Sequence, residues 1–463
     1  MKKALASESA SKKGCRELAV EILLKVEQKK AYADILLDSA LKKTSLPARD
    51  RALRTELVDG TLRWRGRIDW YLERFLHRPL SDANAYLRNL LRLSLYQPLF
   101  LNKIPDYAAV HEGVDLAKRY GGKGAAGLVN AVLRKILREK DHLPNPDSQA
   151  DSARCLSVSC SHPEWLVRRW LESFGKDETE LLLKANNEVA PLTLRVNRLR
   201  EKRENLLQSL SENGFDAVAT RWSPQGIQLK SASAVDRLPG FQEGLFQIQG
   251  EASQLVGYLL NPQPGERILD GCAAPGGKTT HLAELMEDRG EIVATDISAR
   301  GLEKLKGNVQ RLGLVSVCCF LVDVAQGLPE TLAAPYDRIL VDAPCSGLGT
   351  LRSHPEAKWH RDERDIQRLS RLQKKIINRL SAYLKPGGVL VYATCTLTRE
   401  ENEKVVEDFL ARQKDFTLES AGSYLPEQAR HLVQGKYFST LPHKHNTDGF
   451  FAARMKKTRR QMQ

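Results

Sequence analysis

Nothing in the chain approaches the ~18 uninterrupted apolar residues that a membrane-spanning helix requires, so neither a membrane protein nor a membrane partner is expected. No charged-then-apolar leader precedes the first polar helix, and the eight cysteines are too scattered for a secreted disulfide framework. The cytoplasm is therefore the expected compartment. There is no internal repeat. A phosphate-binding P-loop is also missing, although GGKTT at 276–280 resembles the end of one. Such a loop needs its first glycine six residues before the lysine, where backbone N–H groups begin to wrap the phosphates; here that position is Cys272.

What the chain has in excess is positive charge: 71 Lys and Arg against 57 Asp and Glu, a net +14. The surplus suits a polyanionic partner through phosphate contacts and steering, or simply a soluble basic surface, and charge alone leaves both open. A chain of 463 residues exceeds one ordinary core, and two or three domains are expected.

From Cys15 to about Arg138 the periodicity is helical. Leu18, Ile22 and Val26 share a stripe, with Glu17, Glu21 and Lys25 off it, and further helical segments include RALRTELVDGTLRW, IDWYLERFL, NLLRLSLYQPLF and Ala125–Leu137. Pro98 predicts a kink or a helix end. DHLPNPDSQADSA, 141–153, reads as a linker. Beyond it a helix around WLVRRWLESF, the strand TLRVN, a helix over Arg200–Leu210 and the strand GIQLK predict a small α+β unit closing near 240. Thereafter short apolar runs alternate with helices: RILD, EIVATD, VCCFLVD, YDRILVDAP and GGVLVYATC, with helices over Gly301–Leu312, Arg364–Leu384 and Glu400–Arg412. That alternation specifies a mainly parallel α/β sheet covered on both faces, with ligands at the carboxyl ends of its strands. GFFAARM reads as a final strand.

The chemistry-bearing residues fall at those strand ends. Asp270 ends the first strand, and Gly276 and Gly277 bring a ligand close to a helix N-terminus. Asp296 is placed to accept from ribose hydroxyls, while Asp323 and Asp342 end the third and fourth strands. Four carboxylates repel a triphosphate but suit a cationic nucleoside such as S-adenosylmethionine. Cys345, in VDAPCSG, and Cys395, in YATCT, stand at the same edge, whereas Cys318 and Cys319 read as buried strand residues. The chemistry that fits is methylation of cytosine at carbon 5. A thiolate adds to carbon 6, an acid near N3 takes up the developing charge, and carbon 5 then attacks the sulfonium methyl; Cys395 and Asp342 can supply the thiol and the acid.

At FQIQGEASQLV, LDGCAAPGGKTTHL, VATDIS, ILVDAPCSGLGTLRSHPEAKW, LVYATCTLTREENEKVV and DGFFAARM the sequence resembles the RNA 5-methylcytosine methyltransferases of the RsmB/NOP (Sun/Fmu) family. PLTLRVN resembles the small domain preceding that family's core, and LYQPLFLNKIPDYAAVHEGVDLAK with LVNAVLRKIL the NusB-like RNA-binding domain of its bacterial RsmB branch. The resemblance implies a NusB-like helical domain over 1–143, a linker and small α+β domain over 144–240, a Rossmann-like S-adenosylmethionine-dependent methyltransferase domain over 241–457, and a basic tail over 458–463. It implies a monomeric enzyme without a metal that methylates one cytosine of 16S ribosomal RNA, position 967 in the family's naming, in free RNA or a partly assembled small subunit. By its motifs Cys395 attacks the base and Cys345 assists release. The methyl donor is held by Cys272, Ala273, Ala274, Pro275, Gly276, Gly277, Lys278, Asp296, Asp323 and Asp342. VDV around Asp323 departs from the more usual GD, and Pro98 stands where an apolar helical residue is commoner.

Weaker signals have two readings each. Cys155, Cys160 and His162 lack a fourth partner and zinc spacing, which favours a structural role. His354, Lys358 and Trp359 contact RNA or pack a loop; Arg63, Arg65 and Arg67, interleaved with Trp64 and Trp70, either stack on RNA or form a helix face. Rival functions are a P-loop ATPase, which fails on spacing, a DNA cytosine methyltransferase, and a non-catalytic RNA-binding scaffold, which leaves two strand-end thiols unexplained.

Overall fold

The computed structural model describes residues 14–43, 48–146, 151–230, 235 and 238–458. The chain forms two compact units, Met1–Glu188 with Leu351–Arg361, and Val189–Thr350 with Asp362–Gln463. Parts of the expected linker and basic tail, at 147–150 and 459–463, lie outside the described residues.

The first unit is helical among its described residues. Helices Cys15–Lys29, Ala33–Lys43, Ala48–Phe75, Ala85–Phe100 and Asp106–Arg138 pack around Leu23, Val26, Leu57, Ile68, Leu91 and Leu133. Ala85–Phe100 is its central element, with Leu90, Leu91, Leu93, Leu95 and Tyr96 all buried. Pro98 sits in the last turn; it has no N–H to donate to Ser94 O four residues back, and the helix ends two residues later. Asp106–Arg138 extends well beyond the expected Ala125–Leu137 and breaks at Gly122, where φ is 75°. Glu17, off the apolar stripe, is nonetheless buried, accepting from Arg119 Nη1 at 3.0 Å and from the Tyr120 hydroxyl. A stripe read along one helix does not show a second helix closing over its flank. Helices Ser152–Ser159, Glu164–Phe174 and Lys176–Asn186 follow.

The Leu351–Arg361 segment is tied into this unit. Lys358 Nζ donates to Arg63 O at 3.0 Å and to Asn187 Oδ1 at 3.2 Å, Trp359 Nε1 donates to Leu62 O at 2.6 Å, and Glu356 Oε1 accepts from Ala33 N at 3.0 Å. Burial, foremost, pushes the Lys358 ammonium well below its usual range. Of the two readings for Lys358 and Trp359, packing is the one observed. The same holds upstream: Arg63 is buried, Trp64 stacks on Phe100 at 4.8 Å, and Arg65 lies 5.2 Å from the Trp359 ring.

In the second unit, strands β1 (Leu192–Val196), β2 (Ala217–Ala219), β3 (Gly226–Leu229) and β4 (Phe246–Ile248) form an antiparallel sheet in the order β2-β3-β1-β4, with helix Arg203–Glu212 against it. β2 and β4 are too short for a sequence pattern, and β4 lies past residue 240. The larger sheet contains β5 (Arg267–Asp270), β6 (Glu291–Asp296), β7 (Val317–Leu321), β8 (Tyr336–Asp342) and β9 (Leu384–Thr394), parallel in the order β7-β6-β5-β8-β9. Antiparallel β13 (Phe450–Lys457) follows β9 and is flanked by β12 (Tyr437–Thr440) and β10 (Phe416–Glu419), with β11 (Val433–Gln434) beyond β12.

β5, β8 and β9 are apolar because both their faces are covered. One cover is Glu363–Ser381, capped by an Asp362/Asp365 box and burying Ile366, Leu369, Ile376, Ile377 and Leu380. β7 is an edge strand, which corrects two expectations. Cys318 is exposed rather than buried, and Asp323 lies two residues beyond the strand. Strand order reverses at β5, with β6 on one side and β8 on the other, so the crevice for a ligand opens at the ends of β5 and β8.

Candidate active site

The glycine loop starts where β5 ends, and adjacent strand ends hold it residue by residue. Ala273 N donates to Thr295 O at 2.9 Å, Ala274 N to Asp296 Oδ2 at 3.0 Å, and Pro275 O accepts from Asn308 Nδ2 at 3.2 Å. Gly276 has φ 103°, and a Cβ there would meet Leu305 Cγ at 2.7 Å, so a side chain is excluded both by backbone and by space. Among the described residues no side chain caps the following helix, Gly277–Leu285, whose first N–H groups are thus offered to an anionic group in the loop.

Asp270 is wholly buried; Oδ2 accepts from Thr279 Oγ1 at 2.7 Å, and Oδ1 has no hydrogen-bond partner among the described residues. Burial pushes this carboxyl up from 3.8 to about 7. The folded protein therefore binds its proton more tightly than the unfolded chain does, and stability from this group falls as pH rises from 3.8 to about 7. Asp270→Asn cannot ionise and is expected to gain in Tm on the parent between pH 5 and pH 8. A difference in Tm that does not change with pH would contradict this.

All four expected strand-end carboxylates act on one atom. The Cys272 thiol is held well above its usual range by burial and then by Asp270, Asp296, Asp342 and Asp323. It is protonated and no nucleophile. Asp296 also accepts from Ser298 N at 2.8 Å, and Asp323 closes a turn by accepting from Ala325 N at 3.1 Å. A carboxylate has about four lone-pair sites, so both keep acceptor capacity for hydroxyls. Lys278, expected to help hold the methyl donor, donates to Asp342 Oδ2 at 2.6 Å. This follows from β5 and β8 being neighbours, and it directs the lysine away from the role a P-loop would give it. The loop, its uncapped helix and its ring of acceptors fit a cationic nucleoside with a carboxylate end.

Past the end of β8 and just past the end of β9 lie the two cysteines. Cys345 Sγ and Cys395 Sγ are 3.3 Å apart. The Cys345 thiol is pushed well above its usual range, first by its hydrogen bond with Cys395 and then by burial, so it keeps its proton. Sulfur–sulfur proximity of this kind is not visible in sequence, where the two residues are fifty positions apart.

Sequence reasoning missed two groups around this site. Arg195 of β1 is wholly buried and makes an ion pair with Glu284 at 2.7 Å, while its Nη1 donates to Gly277 O at 2.6 Å in the loop helix. Glu401 is wholly buried beneath both cysteine loops. A charged residue at an inward position of TLRVN is the signal that could have found Arg195. Glu401 reads simply as the acidic start of a helix.

Comparison with known proteins matches residues 257–456 to the family described as 16S rRNA methyltransferase RsmB/F, residues 13–138 to the NusB family, and residues 162–236 to the ferredoxin-like domain of RsmF/B-like methyltransferases. The chain is 38% identical over 447 residues to the probable ribosomal RNA small subunit methyltransferase B of Bacillus subtilis strain 168, covering 96% of this chain and 99% of that one. Among solved structures it resembles that of PH0851, with TM-score 0.82 and 28% identity over 96% of this chain and 99% of the other. It also resembles a methyltransferase homolog from Pyrococcus horikoshii, with TM-score 0.57 and 30% identity over 66% of this chain and 99% of that one.

Proposed function

As the chain belongs to the RsmB/F family of 16S rRNA methyltransferases, we propose that it methylates carbon 5 of a single cytosine of 16S ribosomal RNA, the one the family numbers 967, through a covalent bond to Cys395. The observation that carries the reading is the 3.3 Å approach of Cys345 and Cys395 at the edge that also presents the Lys278–Asp342 pair.

The glycine loop from Cys272 to Lys278, with Asp296, Asp323 and Asp342, would hold S-adenosylmethionine, which supplies an electrophilic methyl group. Cys395 as thiolate adds to carbon 6 of the cytosine. Asp342 meets the ring at N3, and the Lys278 ammonium beside it offsets the charge developing there. Carbon 5 takes the methyl, a base accepts the carbon 5 proton, and the electron pair of that C–H bond restores the ring double bond as the Cys395–carbon 6 bond breaks to return the thiolate. Cys345 is placed to assist this last step. Once the Cys395 sulfur is bonded to the base its charge is gone, and with it one cause of the high Cys345 proton affinity. No metal is needed at any step.

A DNA cytosine methyltransferase would use the Cys345-type residue as nucleophile, and its proton retention disfavours that role. The test is bisulfite mapping of ribosomal RNA from cells lacking the protein. Loss of protection at one small-subunit cytosine is expected, and an unchanged map would refute the assignment.

A further inference from the structure

Two loops on different strands bring their sulfurs within 3.3 Å of each other, and something must hold them there. Cys345 and Cys395 are each followed by a hydroxyl residue, Ser346 and Thr396, whose oxygens are 2.7 Å apart. Both hydroxyls also reach Glu401: Ser346 Oγ donates to Oε2 at 2.6 Å, as does Thr398 Oγ1 at 2.7 Å, while Thr396 Oγ1 lies 3.3 Å from Oε2 and has its one proton to share between it and Ser346 Oγ. On the other carboxylate oxygen, Ser346 N donates at 2.8 Å and Gln373 Nε2 at 3.1 Å. Gln373 Nε2 also donates to Pro344 O at 2.9 Å, on the other side of Cys345. Glu401, Ser346, Gln373 and Thr396 are all wholly buried, and no cation partners the carboxylate among the described residues.

A buried carboxylate without a cation is costly unless hydrogen bonds satisfy it, and here they come from both cysteine loops at once. We propose that Glu401 is a positioning residue that pins the Cys345 and Cys395 loops together and so sets the distance between their sulfurs. The pin works through hydrogen-bond geometry rather than through net charge. At Oε1 the donors are a peptide N–H and an amide, which cannot reverse. At Oε2 all three partners are hydroxyls, which can rotate to accept. A glutamine can therefore keep its oxygen at the first place and put its NH₂ at the second, whereas alanine leaves both sets of donors without a partner.

The consequence for methyl transfer rests on the catalytic roles proposed above, but the sulfur distance can be read without them. With diamide as oxidant, the two thiols give up two protons and two electrons to its N=N bond and close a disulfide, which needs the sulfurs to approach from 3.3 Å to about 2.05 Å. Closure can be followed by peptide mapping of the full-length enzyme. Glu401→Ala is expected to slow closure about tenfold and methyl transfer about a hundredfold, with S-adenosylmethionine binding unchanged. Glu401→Gln is expected within about threefold of wild type on both.

Wild-type closure or wild-type methyl transfer in Glu401→Ala would overturn the proposal, as would a Glu401→Gln enzyme as slow as the alanine variant. If Glu401→Ala does not bind the donor, the double variant Ser346→Ala/Thr396→Val decides: slowed closure supports the pin and wild-type closure refutes it. Cys395→Ser assayed alongside separates the two claims. Should it methylate normally, the catalytic assignment fails while the closure rates still judge Glu401.

Discussion

Cys395→Ser is expected to lose methyl transfer by at least about a thousandfold and to form no covalent complex with RNA. Cys345→Ser is expected to trap the enzyme on its substrate, seen as an enzyme–RNA adduct that survives a denaturing gel. The asymmetry has a physical origin in a pair that is nearly symmetric in position. Both sulfurs lie at the same edge, 3.3 Å apart, but Cys345 holds its proton because of burial and the neighbouring sulfur. A serine at 395 offers a hydroxyl far too basic to lose its proton at neutral pH, so addition to carbon 6 stops. A serine at 345 leaves that addition intact and removes the group poised beside the carbon 6–sulfur bond when it must break. The reverse pattern, an adduct in Cys395→Ser and none in Cys345→Ser, would exchange the two roles.

Arg195→Met is expected to destabilise the second unit by about 3–5 kcal/mol, measured by denaturant unfolding. The guanidinium and the Glu284 carboxylate are both wholly buried, and removing one partner strands the other charge out of water. Burial already pushes the Glu284 carboxyl up against the opposing pull of Arg195, so without the arginine it would take up a proton. Arg195→Met with Glu284→Leu is expected to recover most of the loss, since an apolar pair of similar volume carries no desolvation penalty. The single variant is also expected to weaken binding of S-adenosylmethionine, because Arg195 holds Gly277 O and Thr280 Oγ1 in the first turn of the loop helix. Equal stability of single variant and parent would mean that the pair contributes nothing to the fold.

The larger sheet was legible because each of its parallel strands is a short apolar run bounded by a helix. RILD and EIVATD became β5 and β6 at the residues expected, and YDRILVDAP became β8 up to Asp342. β2, β4, β10 and β11 were not legible: each is short and has no helix-bounded apolar run to mark it, so pairing partners rather than local pattern define them. β7 was misjudged for the opposite reason. VCCFL has the composition of an interior strand, but its place at the sheet edge leaves Cys318 exposed, and composition carries no information about sheet order.

The site shows the same division. Cys345, Cys395, Asp296 and Asp342 could be placed at strand ends from alternation alone. That Lys278 turns to Asp342 depends on β5 and β8 being neighbours, and that Glu401 meets Ser346 depends on two loops coming together. Nor does any pattern in SHPEAKW announce that these residues pack with the helical unit, where Lys358 is buried against Arg63 O. Local sequence encodes which residues can do chemistry, whereas long-range pairing decides which of them do it together.

Covalent catalysis by Cys395 can be tested with one measurement. RNA carrying 5-fluorocytidine at the target position presents a carbon 5 whose fluorine no base removes, so the wild-type enzyme must stall with its sulfur still bonded to carbon 6. Digestion and mass spectrometry then identify the attached residue. A methylated fluorocytidine on the peptide containing Cys395 is expected. Attachment to Cys345, or methyl transfer with no attachment to either cysteine, would contradict it.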